Sequence, residues 1–193
     1  MADAFHADHA PRLDAPERLE ALPGSAVLAL LRLRGDETVV DYGAGTGVYS
    51  IGIAEALPRG LLIAVEALPE LVEQLRARLS PELAERVEVV QTDENRVPVE
   101  DGSADRVVMV DVLHHLWDQP DALAEVVRLL RPGGLFVVVD WGDKERPIGP
   151  PLGHVLGLAA VRDIISSMGL DEVEAHEPGT RLTHHLAAVA LKR

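Results

Sequence analysis

The stretch VVDYGAGTGVYS, residues 39–50, places Gly43, Gly45 and Gly47 at every second position, directly after an apolar run that ends in Asp41. Glycine lets a backbone turn tightly and lets a ligand approach the main chain to contact distance. A helix starting after such a loop also presents unpaired N–H groups. A dinucleotide needs a different spacing, G-x-G-x-x-G, so that its pyrophosphate can sit on the helix start. Val48 stands here where that third glycine would be, and its β-branched side chain crowds the helix start. The Asp41 carboxylate opposes a diphosphate and favours a cation or an ammonium group.

Further acids fall at comparable points. Glu66 closes the run LLIAVE, and Asp93 closes RVEVVQTD with Glu94 beside it. A carboxylate accepts two hydroxyl hydrogen bonds in bidentate fashion, and charge-assisted bonds are the stronger kind. Ala67 and Leu68 offer an apolar wall next to Glu66. His114 and His115 follow the run ADRVVMVDV. Histidine titrates near neutrality, which suits proton removal from a phenol, an amine or an acidic carbon. Packing or helix entry would explain the same pair. His6 and His9, three apart, would share a helical face, but no third metal ligand is visible, so no metal is expected. His184 and His185 fall in a run read as a strand, so their side chains point to opposite faces and surface or core placement is the default.

The elements that must hold these groups read in alternation. DAPERLEAL reads as a short helix with Asp14 as its cap and Pro16 in its first turn. SAVLALLRL follows as a second helix that stops near Gly35. Strands are expected at ETVVDY, LLIAVE, RVEVVQTD, ADRVVMVDV and LFVVVDW. Helices are expected from Gly47 to Leu57, from Leu68 to Leu79 and from Asp118 to Leu130, with a turn at Arg131–Gly134. Alternation of this kind demands a parallel sheet covered by helices on both faces. After one more helix, LAAVRDIISSMG, the last two runs have no helix between them. They are expected to pair as a hairpin at one end of the sheet.

Composition narrows the partners. The 193 residues suit one domain, and 47% apolar residues supply a full core. The formal net charge of -14 repels phosphate backbones and anionic lipid, so neither nucleic acid nor a membrane surface is an expected partner. Cysteine is absent, which excludes a thiol nucleophile and a zinc site built on sulfur, and fits the cytoplasm. The opening segment is polar and acidic, with no basic-then-apolar leader.

S-adenosylmethionine carries a sulfonium and an ammonium and no phosphate. VVDYGAGTG resembles the first motif of the class I S-adenosylmethionine-dependent methyltransferases, and VDVLHHL (110–116) and LRPGG (130–134) resemble later motifs of that family in the right order. The likeness spans nearly the whole chain and is similar to small-molecule, quinone-biosynthesis-like members of methyltransferase type 11. It implies an α/β, Rossmann-like three-layer sandwich whose seven-stranded, mostly parallel sheet ends in an antiparallel C-terminal hairpin. It implies one domain over 1–193, with a helical lid at 1–35 and the core at 36–193. It also implies S-adenosyl-L-methionine as cofactor, held by Asp41, Tyr42, Gly43, Ala44, Gly45, Gly47, Glu66, Ala67, Leu68, Asp93, Glu94 and Asp111. Glu66 would take the ribose hydroxyls, Asp93 the adenine amine, and Asp111 a backbone contact or the closing of the pocket.

His114 and His115 are the catalytic candidates, while Asp140 and Trp141 are pocket lining without a role. The short segment after the fifth strand is an economical cap, which suits a small-molecule methyl acceptor; a monomer or homodimer is expected. An arsenite acceptor is disfavoured by the lack of cysteine, and no basic amphipathic helix supports a lipid-soluble quinone. Two alternatives stay open: an NAD- or NADP-dependent oxidoreductase, and a non-catalytic cofactor-binding subunit.

Overall fold

A computed structural model describes residues 10–92, 96–179 and 182–193. Helices α1 (Ala10–Leu13), α2 (Pro16–Ala21) and α3 (Gly24–Leu31) lead into β1 (Thr38–Tyr42). There follow α4 (Ser50–Glu55), β2 (Leu61–Glu66), α5 (Pro69–Arg78), α6 (Pro81–Ala84), β3 (Val87–Gln91) and β4 (Ala104–Val110). The chain continues through α7 (Leu113–Leu116), α8 (Pro120–Leu129), β5 (Leu130–Trp141), α9 (Leu158–Ser167), β6 (Asp171–His176) and β7 (His185–Leu191).

The sheet has seven strands in the order β3-β2-β1-β4-β5-β7-β6. β1 pairs in parallel with both β2 and β4, whereas β7 runs antiparallel to β5 and β6. The expected hairpin is therefore present at one end. The direction of strand succession reverses between β1 and β4, and a crevice opens at the carboxyl ends of such a pair.

Residue alternation splits the core into two layers. Val39 and Val108 belong to one buried cluster with Leu30, Leu31 and Ile53 of α3 and α4. Val40, Val107 and Phe136 belong to the other with Val126, Leu129 and Val161 of α8 and α9. Strands buried on both faces read as continuous Val, Ile and Leu runs, which is why they were legible. Each fully buried aliphatic side chain contributes about 1.5–3 kcal/mol.

Three local expectations differ. Asp14 does not cap α2; Ala15 holds that position without a side-chain bond, and the Asp14 carboxylate is turned toward Thr46 and Arg78. The helix after the glycine loop starts at Ser50, because Gly45 and Gly47 keep positive φ values and hold the intervening chain as turns. Arg131–Gly134 does not separate α8 from the fifth strand. It bulges within β5, whose register against β4 jumps from Ala104–Leu130 to Arg106–Leu135. Among the described residues, no helix is long and apolar enough to cross a membrane.

Candidate active site

The glycine loop is tied down by backbone bonds before any ligand is considered. Gly43 N and Ala44 N both donate to Val65 O at 2.9 Å, and Gly47 N donates to Ala44 O at 3.0 Å. Gly43 has φ +83°, and a Cβ there would lie 2.5 Å from Val112 Cγ2, so both conformation and space require glycine. Glu66 stitches this loop to the end of β2. Its Oε2 accepts from Gly45 N at 2.8 Å, and its Oε1 accepts from Ala67 N at 2.9 Å and Leu68 N at 3.0 Å. A carboxylate has about four acceptor sites. Three are used here, which leaves room on Oε2 for a ligand hydroxyl.

Asp41 is 3% exposed and takes a 2.6 Å bond from Ser50 Oγ in α4. Burial pushes its carboxyl up to about 6; the Ser50 bond opposes this, and the nearby Glu66 charge adds to it. Asp93 and Glu94, the acids expected near the adenine, lie outside the described residues. Thr92 just before them borders the cavity.

The facing wall is built by distant parts of the chain. Asp111 follows β4 with φ +58°, an uncommon backbone for a residue with a side chain. Its Oδ2 accepts from Arg18 Nε at 3.0 Å, with Arg18 Nη2 2.8 Å away. His185 Nε2 stands 3.2 Å from the other oxygen, Oδ1. Burial acts to raise the Asp111 carboxyl, but Arg18, then His185 and His114, outweigh it and bring it down to about 2. Arg18 also donates from Nη1 to Leu13 O at 2.6 Å and lies 5.0 Å over the Tyr49 ring. Leu13 packs on the loop, 3.0 Å from where a Cβ on Gly45 would be. Thr46 Oγ1 donates to Asp14 Oδ1 at 2.9 Å. Residues 13–18 thus sit across the glycine loop.

These walls enclose a cavity of about 470 Å³, inside the range of small-molecule sites. Asp41, Tyr42, Gly43, Ala44, Gly45, Glu66, Ala67, Leu68 and Asp111 border it, as does His115. Gly47 is buried beside Leu75, beneath the loop.

The histidine pair divides. His115 faces the cavity, with Leu116 and Gln119 beside it. His114 is 5% exposed and lies behind, its ring 4.0 Å from that of His115. Its Nδ1 is 2.6 Å from Asp140 Oδ1, and its backbone N donates to Asp140 Oδ2 at 2.9 Å. Burial acts to lower the His114 imidazole, but Asp140 prevails and its pKa is raised. Asp140 therefore anchors α7 to β5, a function the sequence did not indicate. His184 is half-buried just before β7, while His185 is fully buried against Trp141, ring centroids 4.1 Å apart. Sequence reasoning missed Arg18, Ser50 and His185. No local pattern marks them, because each is defined by a partner on another element.

The donor set fits S-adenosylmethionine. Among the described residues bordering the cavity, Arg18 is the sole Lys or Arg, and Asp111 already holds it. A diphosphate would find three acids there, Asp41, Glu66 and Asp111, whereas a sulfonium and an ammonium find a favourable field. The described residues contain no cluster of three or more His, Cys, Asp or Glu able to hold a metal. His6 and His9 lie outside them.

Comparison with known proteins agrees. The profile of the methyltransferase domain family matches residues 40–138. A methyltransferase of Mycobacterium tuberculosis, itself uncharacterised, is 35% identical over 151 residues, which are 76% of this chain and 55% of that protein. The demethylmenaquinone methyltransferase of Lactococcus lactis is 29% identical over 122 residues, 61% of this chain and 48% of that enzyme. The chain spans from 34% to 55% of the length of several curated relatives. The crystal structure of an S-adenosylmethionine-dependent methyltransferase from Aquifex aeolicus superposes with a TM-score of 0.89 at 26% identity, covering 98% of this chain and all of that one. The chain belongs to the methyltransferase domain family, in its class I, S-adenosylmethionine-dependent form.

Proposed function

We infer that the protein moves a methyl group from S-adenosylmethionine to a small-molecule acceptor by in-line displacement. The observation that carries this reading is the cavity bordered by Asp41, Glu66 and Asp111, whose glycine loop is stitched to Glu66 and where Arg18, the sole Lys or Arg among the described residues bordering it, is already paired. When bound, S-adenosylmethionine supplies a methyl carbon already activated by its sulfonium. The chain's part is to align an acceptor and exclude water. Glu66 takes a ribose hydroxyl, and Asp93 with Glu94 serves the adenine. The turn at Asp111 closes the methionine end.

The contacts of Leu13, Asp14 and Arg18 with the site support reading residues 1–35 as its lid. His115 is the residue placed to take a proton from an acceptor that must lose one, because its ring borders the cavity. His114 supports that ring from behind, fixed by Asp140. The small, cysteine-free cap supports a small acceptor, and the acidic, cysteine-free composition supports the cytoplasm as its place of action.

Calorimetric titration with S-adenosylmethionine, S-adenosylhomocysteine and NAD tests the cofactor. Binding of the first two and no heat with NAD is expected; the reverse pattern refutes the reading. Label transfer from a methyl-labelled donor across amine, phenol and carboxylate acceptors then tests turnover. Binding without transfer to any of them would mark a non-catalytic subunit instead.

A further inference from the structure

Gln119 borders the cavity beside His115 and Leu116. Its Nε2 donates to the backbone carbonyl oxygen of His115 at 3.2 Å. A carbonyl only accepts, so this bond settles which end of the side-chain amide is nitrogen and which is oxygen. Gln119 Oε1 is left as an acceptor that takes no hydrogen bond among the described residues.

The cavity offers little to an anion. Thr46 gives its hydroxyl hydrogen to Asp14, Tyr49 to Leu22 O and Thr92 to Arg96 O. The Arg18 guanidinium is held by Asp111 and by Leu13 O. Burial, helped by Glu125, pushes the Tyr42 phenol up to about 12, so it adds a neutral hydroxyl and no charge. With Arg18 and Asp111 cancelling, Asp41 and Glu66 leave a negative field that no further Lys or Arg among the described bordering residues offsets.

That field separates methyl acceptors by what the transfer does to charge. When an amine takes the methyl group, the positive charge passes from sulfur to nitrogen and persists in the cavity. When a phenolate or a carboxylate takes it, opposite charges are annihilated, and the anion must first be held where no cation is at hand. Fixed carboxylates nearby favour the first course and oppose the second.

We propose that the methyl acceptor is an amine without an anionic group, and that Gln119 selects it by accepting an N–H hydrogen bond on Oε1. The inference rests on the reading of this cavity as an S-adenosylmethionine-dependent active site. The acceptor arrives as an ammonium ion drawn by the field. It gives a proton to the His115 imidazole, which passes it to solvent; repulsion from the sulfonium assists the loss. The nitrogen lone pair then forms the N–C bond while the S–C bond breaks and its electron pair stays on sulfur. The products are the N-methylated ammonium ion and S-adenosylhomocysteine.

The test uses matched acceptors: benzylamine, cresol and phenylacetate, and their naphthyl counterparts. Each is titrated by calorimetry into the full chain saturated with S-adenosylhomocysteine, and each is offered to the chain with methyl-labelled S-adenosylmethionine. The amine of a set is expected to bind, and to take label at least about tenfold more efficiently than its phenol and carboxylate. Gln119→Leu is expected to weaken amine binding and raise the amine KM by about 10- to 100-fold, with S-adenosylhomocysteine affinity unchanged. Gln119→Glu, which keeps an acceptor oxygen there, is expected to restore amine binding. The parent's ranking of acceptors decides the matter even where Gln119→Leu does not fold. Label on a phenol or carboxylate at or above the rate of its matched amine, or amine binding that Gln119→Leu leaves intact, overturns the proposal and leaves the methyltransferase reading standing. No binding of S-adenosylhomocysteine, or no label on any acceptor, overturns the reading on which it rests.

Discussion

Two buried carboxylates face the same cavity and are treated in opposite ways. Asp41, on the β1 side, has a hydroxyl for a partner, and burial leaves it ionising at about 6. Asp111, on the β4 side, has a guanidinium, and despite burial it ionises at about 2. A hydroxyl stabilises a buried anion less than a full positive charge does. The walls differ in the same sense. The β1–β2 wall is held by backbone N–H groups converging on Val65 O and Glu66, with sequence separations of 21 residues or fewer for the Glu66 bonds. The β4 wall is held by side-chain charge across 93 residues. One wall is thus a loop shaped by its own residues, and the other exists once α2, β4 and β7 have docked.

That contrast can be broken at each wall. Glu66→Gln replaces an acceptor oxygen with an amide nitrogen facing backbone donors. S-adenosylmethionine affinity should fall by about 100- to 1,000-fold, since bonds to a charged group contribute about 1.5–3 kcal/mol each. An affinity within tenfold of the parent would show that the stitched wall is not the anchor. Arg18→Gln should lower folding stability by about 3 kcal/mol, as breaking a buried pair does. A urea midpoint that barely moves would mean that the second wall does not depend on this charge. Gly43→Ala meets Val112 at 2.5 Å with φ +83°, and should lose about 2 kcal/mol in the same assay.

The Asp41 effect has a characteristic pH signature. Asp41 ionises at its ordinary 3.8 when unfolded and at about 6 when folded, so the folded state holds the extra proton between them. Stability should therefore fall as pH rises from about 4 to about 6, and stay lowered above that. Asp41→Asn has no proton to lose. It should be more stable than the parent by about 3 kcal/mol above pH 6, with the gap closing near pH 4. Asp111 runs the other way: its contribution is present above its ordinary value of 3.8 and is lost as pH falls toward about 2. Urea midpoints across this range separate the two acids.

Much of this was written locally. Gly43, Gly45, Gly47 and Glu66 announce a ligand edge because turn chemistry and strand burial act over a few residues, and the strands themselves read as apolar runs bounded by turns. Alternation without a helix before β7 was enough to place the final hairpin. Arg131–Gly134 was less legible, since a Pro-Gly-Gly run reads as a turn whether it ends a strand or bulges inside one. Asp14 looked like a helix cap for the same reason: its type suits a cap, and its true partners, Thr46 and Arg78, lie far along the chain.

The sequence by itself determined the sheet, the glycine loop and the class of ligand it admits, because those follow from short-range sterics and burial. Only the tertiary structure decided that His115 faces the cavity while His114 is turned to Asp140. It alone brought Arg18 and His185 to Asp111. Charge pairs between remote elements leave no periodic trace in a chain: each side chain looks like an ordinary surface or core residue until packing excludes water and sets its partner.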